Sequence, residues 1–120
     1  MPSPHLTIHD YSGLILAVLT KPRLTDAPDI AAVGQDLLAL PDRHPRISLV
    51  VDLSPVEAMS SQMLAKLVAL HKAVLAGKGR MTLCGTRPAI MELFTVTKLH
   101  KVLRFAPEAQ GVIMEYQRKK

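Results

Sequence analysis

One aliphatic run that passes directly into helical spacing constrains this chain more than any other feature. Ile47, Leu49, Val50, Val51 and Leu53 stand almost without polar interruption. Such a run suits a strand covered on both faces of a sheet. The segment from Asp52 to Ser61 then turns the chain. Behind it Leu64, Leu67, Val68, His71 and Leu75, with Met63, Leu70 and Val74 alongside, recur at helical spacing and give a wide apolar face. Ser60 and Ser61 therefore fall where a helix begins, and serine there satisfies orphan backbone N–H groups.

The remaining segments extend this pattern. His5 to Asp10 alternates, Tyr11-Ser12-Gly13 reads as a turn, and Leu14 to Leu19 is a second strand, so the chain opens on a hairpin. Asp26, Pro28 and Asp29 mark a helix start, with acids and proline in the first turn. Ile30, Val33, Leu37 and Leu40 line one face of that helix. Gly34 weakens it by about 1 kcal/mol relative to alanine unless close packing needs the glycine. Pro41 to Pro45 reads as a loop, and Gly77-Lys78-Gly79 as a helix stop. Met81 to Cys84 is a strand, Gly85 to Pro88 opens a helix with Ile90, Met91 and Phe94 inward, and Val102 to Phe105 is a last strand. Pro107 to Tyr116 is a last helix, with Val112, Ile113 and Tyr116 as its contacts. Strands separated by helices imply right-handed crossovers and a largely parallel sheet. The fold class is α/β: one domain over residues 1–120, a mixed, mostly parallel sheet flanked by about four helices, with residues 117–120 a loose basic tail.

Composition sets the limits on function. With 120 residues, 48% apolar, no tryptophan and 3% aromatics, the core must be aliphatic. The single Cys84 forms no internal disulfide, which suits a reducing compartment. No signal peptide and no membrane span are expected, and the expected location is the cytoplasm. The net charge of +5 permits anionic partners (nucleic acid, a lipid surface, an acidic protein) without requiring one. So few aromatics provide no base-stacking platform, so direct nucleic-acid binding is not expected.

No catalytic constellation emerges. His5, His9, His44, His71 and His100 do not pair at zinc-helix spacing within a helix, so no metal and no cofactor is expected. Cys84 ends a buried strand and reads as an inert core thiol. Asp52, at the carboxyl end of a parallel strand, is the one acid in a site-like position. The chain does not read as an enzyme.

The segment from Ile47 to Arg104 and the order of elements resemble the STAS domain, found in bacterial anti-sigma-factor antagonists and at the end of sulfate transporters. The family pattern is an aliphatic strand, Asp-Leu-Ser-Gly-Val, a few residues, then Asp-Ser-Ser/Thr-Gly-Leu opening a helix. Residues 52–56, Asp-Leu-Ser-Pro-Val, match the first part. Counting on without gaps, Ser60 falls on the family's aspartate, Ser61 on its phosphorylated serine, Gln62 on the next Ser/Thr, Met63 on glycine and Leu64 on leucine. Asp26 falls on an acidic residue that the family places near the phosphoserine.

The resemblance implies a bacterial anti-sigma-factor antagonist that works by partner switching. It binds an anti-sigma factor that is also a serine kinase, is phosphorylated and released, and is reset by a phosphatase. It also implies Ser61 as the acceptor, with Ser60 the alternative. The implied partner surface comprises Asp26, Met59, Ser60, Ser61, Gln62, Met63 and Lys66; a homodimer is a further arrangement to consider. The chain departs from the pattern at Ser60, which removes an acid beside the acceptor, and at Met63. The Met63 side chain either obstructs a kinase loop, anchors a different partner or packs at the edge of the core. The alternative function is a STAS scaffold subunit, without phosphorylation, in a signalling or lipid-transport assembly.

Overall fold

The structure, a computed structural model, describes residues 5–11 and 13–118. β1 (Leu6–Tyr11) and β2 (Leu14–Leu19) form the expected antiparallel hairpin, in register Leu6↔Leu19 to Tyr11↔Leu14. β2 continues through the two-residue strand β3 (Arg23–Leu24) into α1 (Ala27–Arg43). Next come β4 (Ser48–Asp52), the two-residue β5 (Ala58–Met59) and α2 (Ser61–Ala76). β6 (Arg80–Cys84), α3 (Pro88–Val96), a 3-10 turn at Leu99–Lys101, β7 (Phe105–Ala106) and α4 (Ala109–Arg118) complete the chain. The main sheet has the order β1-β2-β4-β6-β7, parallel throughout except for the opening hairpin. β3 and β5 pair separately as a parallel two-stranded ladder.

Two apolar layers hold the sheet. On one face α1, α2 and α3 bury Ile30, Leu37, Leu67, Leu70, Ile90 and Phe94 against Ile15, Ala17, Leu49 and Val51. On the other, α4 lays Val112, Ile113 and Tyr116 over Leu14, Leu16 and Val50. β4 lies between them, and its Leu49, Val50 and Val51 have no exposed surface. Full burial of a side chain of this kind contributes about 1.5–3 kcal/mol. The uninterrupted run in the sequence is therefore the central strand, covered from both sides.

Four details differ from the expectation. α1 continues through Pro41 to Arg43, where a loop was expected. Proline there removes one donor in the last turn, and the His44 N–H still closes the helix on the Leu40 carbonyl at 3.0 Å. Leu75, expected on the apolar face of α2, is exposed, and Met91 is only half-buried. The last strand is shorter and later than expected: the chain turns at Lys98, whose φ is 63°, and only Phe105 and Ala106 are in register with β6, with the Arg104 carbonyl accepting from the Leu83 N–H at 2.9 Å just before them. Phe105 then packs edge-on against Phe94, with ring centroids 5.0 Å apart. Gln117 and Arg118 belong to α4 and not to a loose tail, while Lys119 and Lys120 lie outside the described residues.

A single polar pair is built into the layer beneath α4. Thr82 is 2% exposed, and its hydroxyl shares a short hydrogen bond with the Tyr116 hydroxyl. The Arg80 guanidinium lies 3.8 Å from the centre of the Tyr116 ring and donates to the Ser48 hydroxyl at 3.1 Å. Removing one partner strands the other in the core. Tyr116→Phe should therefore cost about 1–3 kcal/mol in urea denaturation, whereas Thr82→Val combined with Tyr116→Phe should recover most of that loss, because neither polar group is left unpaired. A single variant as stable as the wild type would mean that the hydroxyl pair contributes nothing.

Candidate functional site

The β3–β5 ladder fixes the geometry of the site. Leu24 is in register with Met59, and the Ser60 N–H donates to the Leu24 carbonyl at 3.0 Å. The chain leaves this ladder twice, once through Asp26 into α1 and once through Ser60 into α2. Two short strands paired in parallel therefore set two helix N-termini side by side. The acid that the family resemblance assigned to the site stands at one start and the two serines at the other. Asp26 is exposed and caps α1 in extended conformation, with the Ile30 N–H on its carbonyl at 3.0 Å.

The two serines are in different environments. Ser60 is the N-cap residue of α2, with φ −91° and ψ 167°, and its carbonyl accepts from Met63 at 3.1 Å and Leu64 at 3.3 Å. Its hydroxyl oxygen is buried, makes no hydrogen bond and does not cap the helix. Ser61 is the first helical residue and is exposed, as is Gln62. The first turn of α2 carries no acid.

Burial divides the expected partner surface. Asp26, Ser61 and Gln62 are exposed, while Ser60 and Lys66 are half-buried. Met59, at 7% exposed, and Met63, at 0%, belong to the core. Both therefore lie beneath the exposed part of the expected partner surface, and Met63 takes the core-packing role among its three readings: it lies on the inner side of the first turn, and its long side chain fills space beneath it. The Lys66 stem has a defined bed. A Cβ added to Gly34 would meet Lys66 Cδ at 2.8 Å, so the glycine in α1 lets the lysine stem cross it. This is the close packing that offsets the helix-weakening effect of Gly34. Between the two helices runs a groove of about 350 Å³ lined by Ala27, Ile30, Ala31, Gln62, Ala65 and Lys66. The sequence reading missed this groove, although alanines at 27, 31 and 65 were its visible signal.

Asp52 has a structural task. Its Oδ1 accepts from the Ser54 N–H at 2.9 Å, which shapes the turn after β4. A Cβ on the neighbouring Gly85 would meet that oxygen at 2.7 Å, and Gly85 has φ +67°, so the carboxylate and the glycine are fitted to each other. Cys84 is wholly buried. Burial, followed by the carboxylates of Asp52 and Glu108, pushes its thiol from an ordinary 9.0 up to about 12. A thiol held neutral in this way is a poor nucleophile. Among the described residues, no three His, Cys, Asp or Glu side chains are grouped to hold a metal ion, and no helix is long and apolar enough to cross a membrane.

Two outcomes follow from these environments. Replacing an N-cap serine usually costs about 1 kcal/mol, but Ser60→Ala should leave thermal stability unchanged or slightly raised, because its buried hydroxyl has no bond to lose. A loss of the usual size would show that the hydroxyl caps α2 in solution. Cys84 should resist thiol reagents at neutral pH in the folded protein and react once denaturant is added. Because its folded value lies above the unfolded one, the stability tied to this group is complete below pH 9.0 and falls as pH rises towards about 12. Labelling of the native protein at the rate of a free thiol would contradict the burial.

The STAS domain profile matches residues 20–111. Among solved structures, the chain is similar to an anti-sigma-factor antagonist (STAS) domain protein from Planctomyces limnophilus, with a TM-score of 0.81, 18% identity and coverage of 92% of this chain and 95% of that one. An anti-sigma factor antagonist from Mycobacterium paratuberculosis superposes with a TM-score of 0.77, at 23% identity and 96% and 97% coverage. The Bacillus cell fate determinant SpoIIAA in its phosphorylated form gives a TM-score of 0.67, at 13% identity and 91% and 97% coverage. At these identities the structures show a shared fold, and the profile, which spans most of the chain, shows the family. The chain belongs to the STAS domain family.

Proposed function

We propose that this domain is an anti-sigma-factor antagonist that binds a protein partner at the α1–α2 end and is switched by phosphorylation of Ser61. The reading is one of binding and not of catalysis. The observation that carries it is the contrast between the two serines: Ser61 is exposed at the start of a 16-residue helix, whereas the Ser60 hydroxyl is buried. A kinase reaches an exposed hydroxyl, and the fold tolerates what the kinase adds. The first N–H groups of a helix have no intrahelical partner, and the positive end of the helix dipole favours an anion.

The same addition is hostile to a docked partner. A phosphate brings about −1.5 to −2 charge and three acceptor oxygens into the rim of the groove. A partner that seats an apolar side chain over Ala27, Ala31 and Ala65 must then desolvate that charge. Asp26, on the adjacent helix start, adds like-charge repulsion to the phosphorylated state. Support also comes from the neighbour whose structure is of a phosphorylated form. The kind of partner implied is an anti-sigma factor with serine kinase activity, together with a phosphatase that resets the domain.

The experiment is intact-mass and peptide mass spectrometry on the protein isolated from its native host under two growth conditions, paired with denaturation of Ser61→Asp. One phosphate should appear on Ser61 and change in occupancy, and Ser61→Asp should hold or gain about 0.3–1 kcal/mol from the helix N-terminus. Phosphate on Ser60 would relocate the switch. A loss of several kcal/mol in Ser61→Asp, or unmodified protein in every condition, would favour the other reading, a scaffold subunit without phosphorylation.

A further inference from the structure

The end of the domain opposite the serines has a composition that the switch does not use. Each parallel strand starts at this end, and α1, α2 and α3 return to it along one face of the sheet. The turns after α1 and α2 are tied together there: the Arg46 N–H donates to the Gly77 carbonyl at 3.1 Å, and the Arg80 N–H to the Ile47 carbonyl at 2.8 Å. Among the described residues other than glycine, three have left-handed backbone: Arg46 at φ 57°, Lys78 at φ 63° and Lys98 at φ 63°. Glycine, asparagine and aspartate enter that region most readily, yet all three positions carry an exposed cation. They occupy the turns that follow α1, α2 and α3 in succession.

The apolar surface at the same end is also unusual. Leu75 is 54% exposed, Val96 74% and Val102 52%. Leu75 stands three residues before Lys78, Val96 two residues before Lys98, and Val102 follows the 3-10 turn. Cations near a helix C-terminus complement its dipole, which accounts for charge there but not for bare aliphatic side chains beside it. We infer that this end is a docking surface for an anionic lipid bilayer, with the three left-handed cations at the headgroups and Leu75, Val96 and Val102 at the acyl boundary. Charge complementarity points to an anion, and the aliphatic tips select a membrane over a polyanion in solution. A single-stranded nucleic acid would instead be met by stacking aromatics, and no Phe, Tyr or Trp accompanies these cations in the three turns.

The test is sedimentation of the full chain with vesicles of equal parts phosphatidylglycerol and phosphatidylcholine, against pure phosphatidylcholine, at low and high salt. Binding should require the anionic lipid and weaken with salt. Each cation close to an anionic surface strengthens binding about five-fold, so Lys78→Gly with Lys98→Gly should weaken it about twenty-five-fold. The same pair relieves left-handed backbone and should raise the thermal midpoint, which separates lost binding from lost folding. Val96→Ser with Val102→Ser should weaken binding with both lysines in place. The proposal is overturned if the wild type ignores anionic vesicles, or if the glycine pair binds as well as the wild type. It is also overturned if the valine variant binds unchanged and duplex DNA competes fully, which would assign this end to a soluble polyanion.

Discussion

The bond from the Ser60 N–H to the Leu24 carbonyl, with the two-residue ladder around it, is the contact on which the arrangement of the site depends. β2 and β4 are neighbours in the main sheet, so the helices that follow them must lie side by side on one face. The sheet alone does not specify where those helices start. The ladder does so by extending the pairing of β2 and β4 past the sheet edge, as two short strands that end at the same level. Glu57 and Ala58 reinforce it by donating to the Pro22 carbonyl at 2.7 and 3.1 Å. The N-termini of α1 and α2 are thereby held together at low cost, since the chain crosses no extra distance.

A site held in this way is rigid at the backbone and exposed only at selected side chains. Met59 and Met63 turn inward and anchor the ladder and the first turn of α2 to the core. Ser61 and Gln62 are left as the outward residues of that turn. Methionine suits the inner role, because an unbranched, polarizable chain fills an irregular gap beneath a helix start. Met63 fills the space beneath the first turn from within and leaves its outer surface to Ser61 and Gln62.

The sequence was most legible where one physical pattern had no competitor. The run from Ile47 to Leu53 has a strand reading because it is apolar on both faces, and the α2 face has a helix reading because its spacing repeats for four turns. The glycine pair at 77 and 79 marked the stop of α2 correctly. Reading failed where tertiary contact overrode local preference. Pro41 looks like a breaker, but two residues from the helix end it removes little. Val102 to Phe105 has strand-forming residues, but after the left-handed Lys98 the Val102 and Leu103 N–H groups are taken up by the Leu99 carbonyl of the 3-10 turn, so pairing with β6 begins only at Arg104 and Phe105. Ladders of two residues leave no periodic signal, so the contact that builds the site was the least visible part of it. The order of the two serines was legible only through the family motif. Their difference in burial depends on β3, which lies more than thirty residues earlier.

Parallel strands give the domain a direction, and that direction separates its two charged ends. α2 carries Ser61 at its first residue and ends two residues before Lys78. A helix of 16 residues spans about 24 Å. At physiological ionic strength the screening length is about 8 Å, so the span is about three screening lengths. A phosphate at Ser61 is therefore nearly invisible, as a charge, to the cations at the far end. Any communication between the ends has to pass through packing, and α2 is the element that reaches both. Its buried residues from Met63 to Val74 are locked against a close-packed sheet, and a helix so held does not slide by fractions of a turn. On the proposed reading the two ends bind different things independently, and phosphorylation of Ser61 would change the partner at one end without releasing the surface at the other.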